Sequence, residues 1–328
     1  MGVNMTKIKL GITLYSFTKE YISGEYTLED CIRRCAEIGI GGYEIVAAQM
    51  IPSYPYVSDE FLGMVNRYAA EYGVRPVSYG ANTDRGMRFD RDLTDDELFA
   101  RTLLDIKSAC KLGCRVMRAQ YLLSPENLVR IAPYAEEYNI KVGIEIHNPE
   151  TPSSPNMLKY LEAIESSGSS YIGFVPDFGC FADKPNIDSY YGALQRGAHK
   201  EMLDFAVQLK YDDVPMQDAA RQLTERGADA EVMSSLYNMY GFLTFSKNPD
   251  FEGLKRIMPY CFHFHGKFHA MKEDGNEFSI PYDKILPIID RTGFDGYIVS
   301  EFEGHASGNA FDMTKKHIEM ERRILGIP

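Results

Sequence analysis

The chain has 328 residues, 45% hydrophobic and 25% charged, enough for one large α/β barrel or two modest domains. A formal net charge of −12 at pH 7 argues against a polyanionic partner such as DNA. The start has no apolar run resembling a signal peptide and no stretch approaches a transmembrane span, so a cytoplasmic protein with no membrane and no nucleic-acid partner is expected.

Strand and helix signals alternate from end to end. Lys9 to Tyr15 is an apolar strand, followed by a helix over Thr27 to Gly39 with Thr27 as N-cap, Asp30 in the capping-box place and Gly39 as terminator. Gly42 to Val46 is the second strand and Ser58 to Gly73 its helix. Arg75 to Tyr79 is the third, with a helix over Thr94 to Gly113. Arg115 to Gln120 is the fourth, and Ser124-Pro125 opens its helix to Tyr138. Lys141 to His147 is the fifth, with a helix from Pro155 to Ser167. Tyr171 to Asp177 is the sixth, and Cys261 to Lys267 the seventh with a helix over Tyr282 to Thr292. Tyr297 to Glu303 is the eighth, closed by a helix from Ala310 to Leu325. Eight β–α units in order predict a (β/α)8 TIM barrel. A doubly wound open sheet would need a Gly-rich phosphate turn after the first strand, and Leu14-Tyr15-Ser16-Phe17 is not one.

One interval breaks the rhythm. Glu145 to Asp177 spans 32 positions and His265 to Glu301 spans 36, but Asp177 to His265 spans 88. A single barrel domain over 1–328 therefore carries an insertion of about 181–250 between strands six and seven. Helical patterns fill it, over Asp188 to Leu209, Asp218 to Glu225 and Asp229 to Tyr240. A long insertion on the active face serves as a lid, a substrate wall or a partner interface.

Active sites of barrels sit at strand C-terminal ends. There the sequence places Glu145, His147, Asp177, His265, Glu301 and Glu303. Alternation puts Glu145 with His147 on one face, likewise His263, His265 and Lys267, and Glu301 with Glu303. Acids and imidazoles aimed at one point are costly unless a cation sits there. The expected metal ligands are Glu145, Asp177, His265 and Glu301, with His263 one layer deeper. Three carboxylates and an imidazole make an oxygen-rich site that suits Mn2+, with Mg2+, Co2+, Fe2+ or Zn2+ as alternatives. A ligand set without cysteine argues against structural zinc. Such a metal can hold a carbonyl and its neighbouring hydroxyl while a base removes the adjacent carbon-bound proton. His147 suits the base, and Glu145 or Glu301 could serve while ligating. Lys267, Glu303, His305 and Gln120 are candidates for holding sugar oxygens, and Tyr15 and Arg118 for walls. The stretch Pro52-Ser53-Tyr54-Pro55-Tyr56 could stack an aromatic group.

The segments Ile144-Glu145-Ile146-His147, Pro176-Asp177-Phe178-Gly179, Phe264-His265-Gly266-Lys267 and Gly296 to Gly304 resemble the xylose-isomerase-like barrel superfamily. That superfamily includes sugar isomerases, ketose 3-epimerases and DNA-repair endonucleases. The resemblance implies metal ligands at Glu145, Asp177, His265 and Glu301, and in an epimerase an acid/base pair at the matching glutamates. Two departures weigh against a simple epimerase: Cys180 stands where those enzymes place a histidine, and the insertion is absent from them. His147, Phe264 to Phe268 and Ser300 to Gly304 look more like the large subunits of bacterial C-glycoside deglycosidases. These act on 3-oxo-glycosides with bound Mn2+ and a small β-sandwich-type partner subunit. The expected function is therefore a metal-dependent carbon–carbon lyase that takes the C2 proton and expels the aglycone, with a ketose 3-epimerase or sugar isomerase as the alternative. A small non-barrel partner chain, a second copy, or both are expected, with the insertion as a docking surface. A DNA-repair endonuclease is disfavoured by the acidic balance and only seven histidines.

Overall fold

The computed structural model describes residues 6–81, 85–120, 123–304 and 308–328. Among these residues there are eight strands: β1 (Lys9–Thr13), β2 (Gly42–Val46), β3 (Arg75–Gly80), β4 (Val116–Ala119), β5 (Lys141–Ile146), β6 (Ile172–Pro176), β7 (Phe264–Phe268) and β8 (Tyr297–Phe302). They lie parallel in the order β6-β5-β4-β3-β2-β1-β8-β7. The β6–β7 seam is held by two isolated parallel bridges, Phe174 to Cys261 and Asp177 to His265. The seam is tight because β6 carries Gly173, where an added Cβ would lie 2.2 Å from the Tyr260 carbonyl oxygen. The result is a (β/α)8 barrel.

Local chemistry explains the helices that surround it. Thr27 and Thr94 each form a reciprocal capping box, with Asp30 and Glu97 respectively, and Ser58 and Ser124 cap two further helices. Each such cap satisfies amide N–H groups that a helix leaves open at its start. The strands bury nearly every residue, and Ile12, Ile45, Met117, Ile144, Phe174, Phe264 and Ile298 join one core with the helices around them.

Between β6 and β7 the chain leaves the barrel through helices Ile187–Gln195, Lys200–Tyr211, Met216–Glu225 and Ala230–Tyr240, then returns through Phe251–Ile257. The pattern read as a single helix over 188–209 is two helices. The break falls at Gly197, whose φ of 103° a helix cannot hold. This segment builds its own apolar cluster, with Leu203, Leu209, Leu223, Val232, Leu236 and Phe245 at its centre. Among the described residues, no helix is long and apolar enough to cross a membrane.

Candidate active site

Glu145 comes from near the end of β5 and Glu301 from near the end of β8, Asp177 follows β6 directly, and His265, the second residue of β7, is level with Asp177 through their bridge. Their ligand atoms all lie within 4.8 Å of one another, and all four residues are buried. Asp177 is fixed because its Oδ1 accepts from the Gly179 amide at 2.6 Å. A Cβ at Gly179 would lie 2.9 Å from that oxygen and 3.0 Å from Lys267 Cδ, which explains the glycine two positions after the aspartate.

His265 shows what the cluster could hold. Its Nε2 is 3.0 Å from Glu44 Oε1, an acceptor, so Nε2 carries the proton and donates it. Its Nδ1 lies 3.1 Å from Glu145 Oε1 and 3.2 Å from Glu301 Oε2, with no hydrogen bond to either. Glu301 Oε2 is likewise buried without a hydrogen bond, whereas Asp177 Oδ2 meets the Lys267 ammonium at 2.9 Å. A lone pair facing two carboxylates at this range is repulsive unless something positive lies between them. A divalent cation meets that need, and the donors fit one with a preference for oxygen and imidazole ligands. A proton on Nδ1 is the alternative occupant. Burial would depress the His265 imidazole, but the facing carboxylates of Glu301 and Glu44 outweigh it and raise its pKa well above the usual value.

Charge counting agrees. Glu44, Glu145, Asp177, Glu301 and Glu303 bring five carboxyl groups, against the cations Arg118 and Lys267. Arg118 bonds Glu145 at 2.9 Å and approaches Glu44 at 3.5 Å. Despite burial, Arg118 and His265 hold the Glu145 carboxyl well below its usual range, and His265 with Arg118 holds Glu44 at about 2. For Asp177 burial dominates over Lys267 and the carboxyl is raised.

Beneath the four lies a second layer, with Ser78 Oγ donating to Glu44 Oε2 at 2.9 Å. His263 Nε2 sits 3.1 Å from the same hydroxyl, and burial pushes that imidazole down to about 3. His263 therefore belongs to the neutral support under His265, one layer deeper, as strand alternation requires.

His147 stands at the rim of the cluster. Its Nδ1 lies 2.9 Å from the Asn148 carbonyl, which can only accept, so Nδ1 holds the proton. The Nε2 lone pair then accepts from Lys267 Nζ at 2.7 Å. Lys267 also touches Asp177 at 2.9 Å and Glu303 at 3.3 Å. Above these groups opens a cavity of about 320 Å3, lined by Glu145, His147, Glu301, Glu303, Tyr15, Arg118, Gln120 and Phe242. Of the predicted substrate residues, Glu303 and Gln120 face the cavity, Lys267 lies below it, and His305 falls outside the described residues.

Other expectations end elsewhere. Residues 52–56 do not line this cavity, and the Tyr54 ring lies under the Arg101 guanidinium at 4.1 Å. Cys180 turns its thiol to the Ile146 carbonyl at 3.1 Å, and burial raises its pKa well above the usual value. Glu44 and Phe242 were not foreseen. Glu44 had a signal, an acid between apolar neighbours in a strand, whereas Phe242 had none.

A family model described as the xylose isomerase-like TIM barrel matches residues 32–324. The chain belongs to that family. Full-length relatives of this xylose isomerase-like barrel include the 3'-dehydrocarminate deglycosidase alpha subunit of Microbacterium sp, 33% identical over 97% of this chain and 95% of the relative. The C-glycoside deglycosidase alpha subunit of Arthrobacter globiformis is 33% identical over 99% of this chain and 94% of its own length. Solved structures share the barrel at low identity. An L-ribulose 3-epimerase superposes with a TM-score of 0.56 at 13% identity, covering 97% of this chain and 95% of its own. A D-tagatose 3-epimerase-like protein gives 0.55 at 16%, covering 97% and 98%.

Proposed function

We propose that this xylose isomerase-like barrel is the catalytic subunit of a deglycosidase that cleaves 3-oxo-C-glycosides by elimination and works with a smaller, non-barrel partner chain. The observation that carries this reading is the full-length similarity to two deglycosidase alpha subunits, a likeness that runs through the insertion as well as the barrel. The name alpha subunit on those relatives supports the partner.

Glu145, Asp177, His265 and Glu301 hold the divalent metal in this proposal, with Mn2+ the best match to the donor set. When bound, the metal supplies Lewis-acid stabilisation of negative charge developing on the sugar C3 oxygen. The chain does the rest. His147, its tautomer fixed by the Asn148 carbonyl, takes the C2 proton on Nε2. For this Lys267 releases Nε2 and turns toward Asp177 and Glu303, both already in reach. The C2–H electrons form the C1=C2 double bond, the C1–aryl bond breaks with its electrons leaving on the aryl carbon, and that carbon takes up the proton His147 holds, which returns the imidazole to its starting form. The products are an unsaturated 3-keto sugar and the free aglycone, with no further reactant consumed.

The alternative is a 3-epimerase, in which Glu145 and Glu301 pass a proton between sugar faces. The approach of both glutamates to His265 Nδ1 from their separate strands favours it. Mass spectrometry of products decides. Mn2+-loaded protein is incubated with a 3-oxo-C-glycoside and, separately, with free ketoses, with and without its candidate partner chain. Released aglycone supports the lyase, and interconverted ketoses without release support the epimerase.

A further inference from the structure

The cavity has two chemically different walls. Among the described lining residues, only Phe242 lacks a polar side-chain atom. It comes not from the barrel but from the turn after the inserted helix Ala230–Tyr240. That turn is held from both sides. Leu243 N bonds the Asn238 carbonyl at 3.0 Å, closing the helix end, and Tyr240 hydroxyl bonds the Val214 carbonyl at 2.6 Å within the insertion. Asn148, buried beyond the end of β5, donates to the Phe242 carbonyl at 3.2 Å and to the Gly179 carbonyl at 3.1 Å. One amide thus ties the insertion to the residues that follow the fifth and sixth strands, beside His147 and Asp177.

Phe242 as a whole stays 66% exposed. Its ring centroid lies 6.0 Å from that of the His147 imidazole, at 63° between planes. An apolar ring left in water forgoes the stabilisation that burial gives elsewhere in the same insertion. The backbone bonds on both sides show that the position is built. A flat, apolar group bound beside His147 would cover the ring, while the acids and Arg118 meet the polar end of the same ligand.

We infer that Phe242 is the stacking platform for the aromatic aglycone and sets the preference of the site for aryl over non-aryl glycosides. This rests on the deglycosidase reading and gives the insertion a role in choosing substrate. The sugar sits over the metal cluster, its C1 substituent points past His147, and the aglycone ring lies against Phe242. Aromatic pairs prefer offset or edge-to-face contact with centroids 4.5–7 Å apart, and the His147 ring already holds one edge of the platform.

The test compares wild type with Phe242→Ala and Phe242→Tyr as Mn2+-loaded protein. Dissociation constants are measured for the 3-oxo-C-glucoside of a hydroxyflavone, for 3-oxo-glucose, and for the hydroxyflavone alone. The ratio of glucoside to 3-oxo-glucose constants should rise about 3- to 10-fold in Phe242→Ala, and Phe242→Tyr should restore it. Aglycone release should show the change in KM more than in kcat. A ratio unchanged in Phe242→Ala overturns the inference, as does equal weakening of both ligands. If wild type releases no aglycone when assayed together with its candidate partner chain, the deglycosidase reading fails on that result. Binding of hydroxyflavone alone then still decides the platform: weaker binding to Phe242→Ala upholds it and equal binding ends it.

Discussion

Glu44→Gln tests whether the second layer tunes the proposed metal site. Glu44 Oε1 accepts from His265 Nε2 at 3.0 Å, and both residues are fully buried. In the variant the amide oxygen can still accept that hydrogen bond, but without charge, and charge-assisted hydrogen bonds are roughly twice as strong as neutral ones. The imidazole becomes less basic at Nδ1, the atom that faces Glu145 and Glu301. Arg118 also loses one of its two carboxylates, keeping Glu145 at 2.9 Å, so it holds that ligand more tightly against the metal's pull. Removing such a supporting partner costs about 10- to 100-fold in metal affinity, or roughly 1.4–2.7 kcal/mol. Calorimetric titration of the apo variant with Mn2+, with bound metal per chain measured after dialysis, gives the number. His265→Ala sets the limit at which stoichiometric binding is lost. Thermal unfolding of the apo forms separates affinity from folding. Wild-type Mn2+ affinity in a folded Glu44→Gln protein would refute the orientation of His265 by Glu44 and, with it, Nδ1 as the metal-facing atom.

Glu145→Ala and Glu301→Ala should each lose bound metal and turnover together, read by metal analysis and product release on the same samples. His147→Ala should keep stoichiometric metal and lose about 100-fold or more in turnover, the scale of a general base; full turnover would remove His147 from that role. Asp105, fully buried and bonded by the Tyr79 hydroxyl at 2.9 Å, is pushed by burial from 3.8 up to about 7. The folded state keeps a proton that the unfolded chain releases, so this group's stabilising contribution is present below about pH 4 and declines as pH rises to about 7. The slope is at most about 1.4 kcal/mol per pH unit. The wild-type minus Asp105→Asn difference in unfolding free energy should fall across that window, and a flat difference contradicts the assignment. Gly173→Ala forces a Cβ to 2.2 Å from a backbone carbonyl at the β6–β7 seam, and should destabilise by about 1–3 kcal/mol in denaturant unfolding.

The parts of the site carried by strand alternation could be read before folding. Glu145, Asp177, His265 and Glu301 each stand near the end of an apolar run, and a barrel brings all such ends to one mouth. The same alternation placed His263 below His265, where it bonds Ser78. The role of Glu44 is not legible in the sequence, because a lone acid in a strand names no partner. Its role exists only through the 3.0 Å bond to a residue 221 positions away. Lys267 was legible as a cation at the mouth, but its contact with His147 depends on two side chains from separate strands. The insertion announced itself by length, while its break at Gly197 and its return helix over Phe251–Ile257 did not.

By itself the sequence determined the barrel and the acids and imidazoles offered at its mouth, because the period of a strand and the caps of a helix act over a few neighbouring residues. Only the tertiary structure decided which nitrogen of His265 faces the acids, which residue holds it there, and that an inserted turn sets Phe242 beside His147. Those outcomes depend on distances between segments far apart in the chain, and local periodicity carries no information about them.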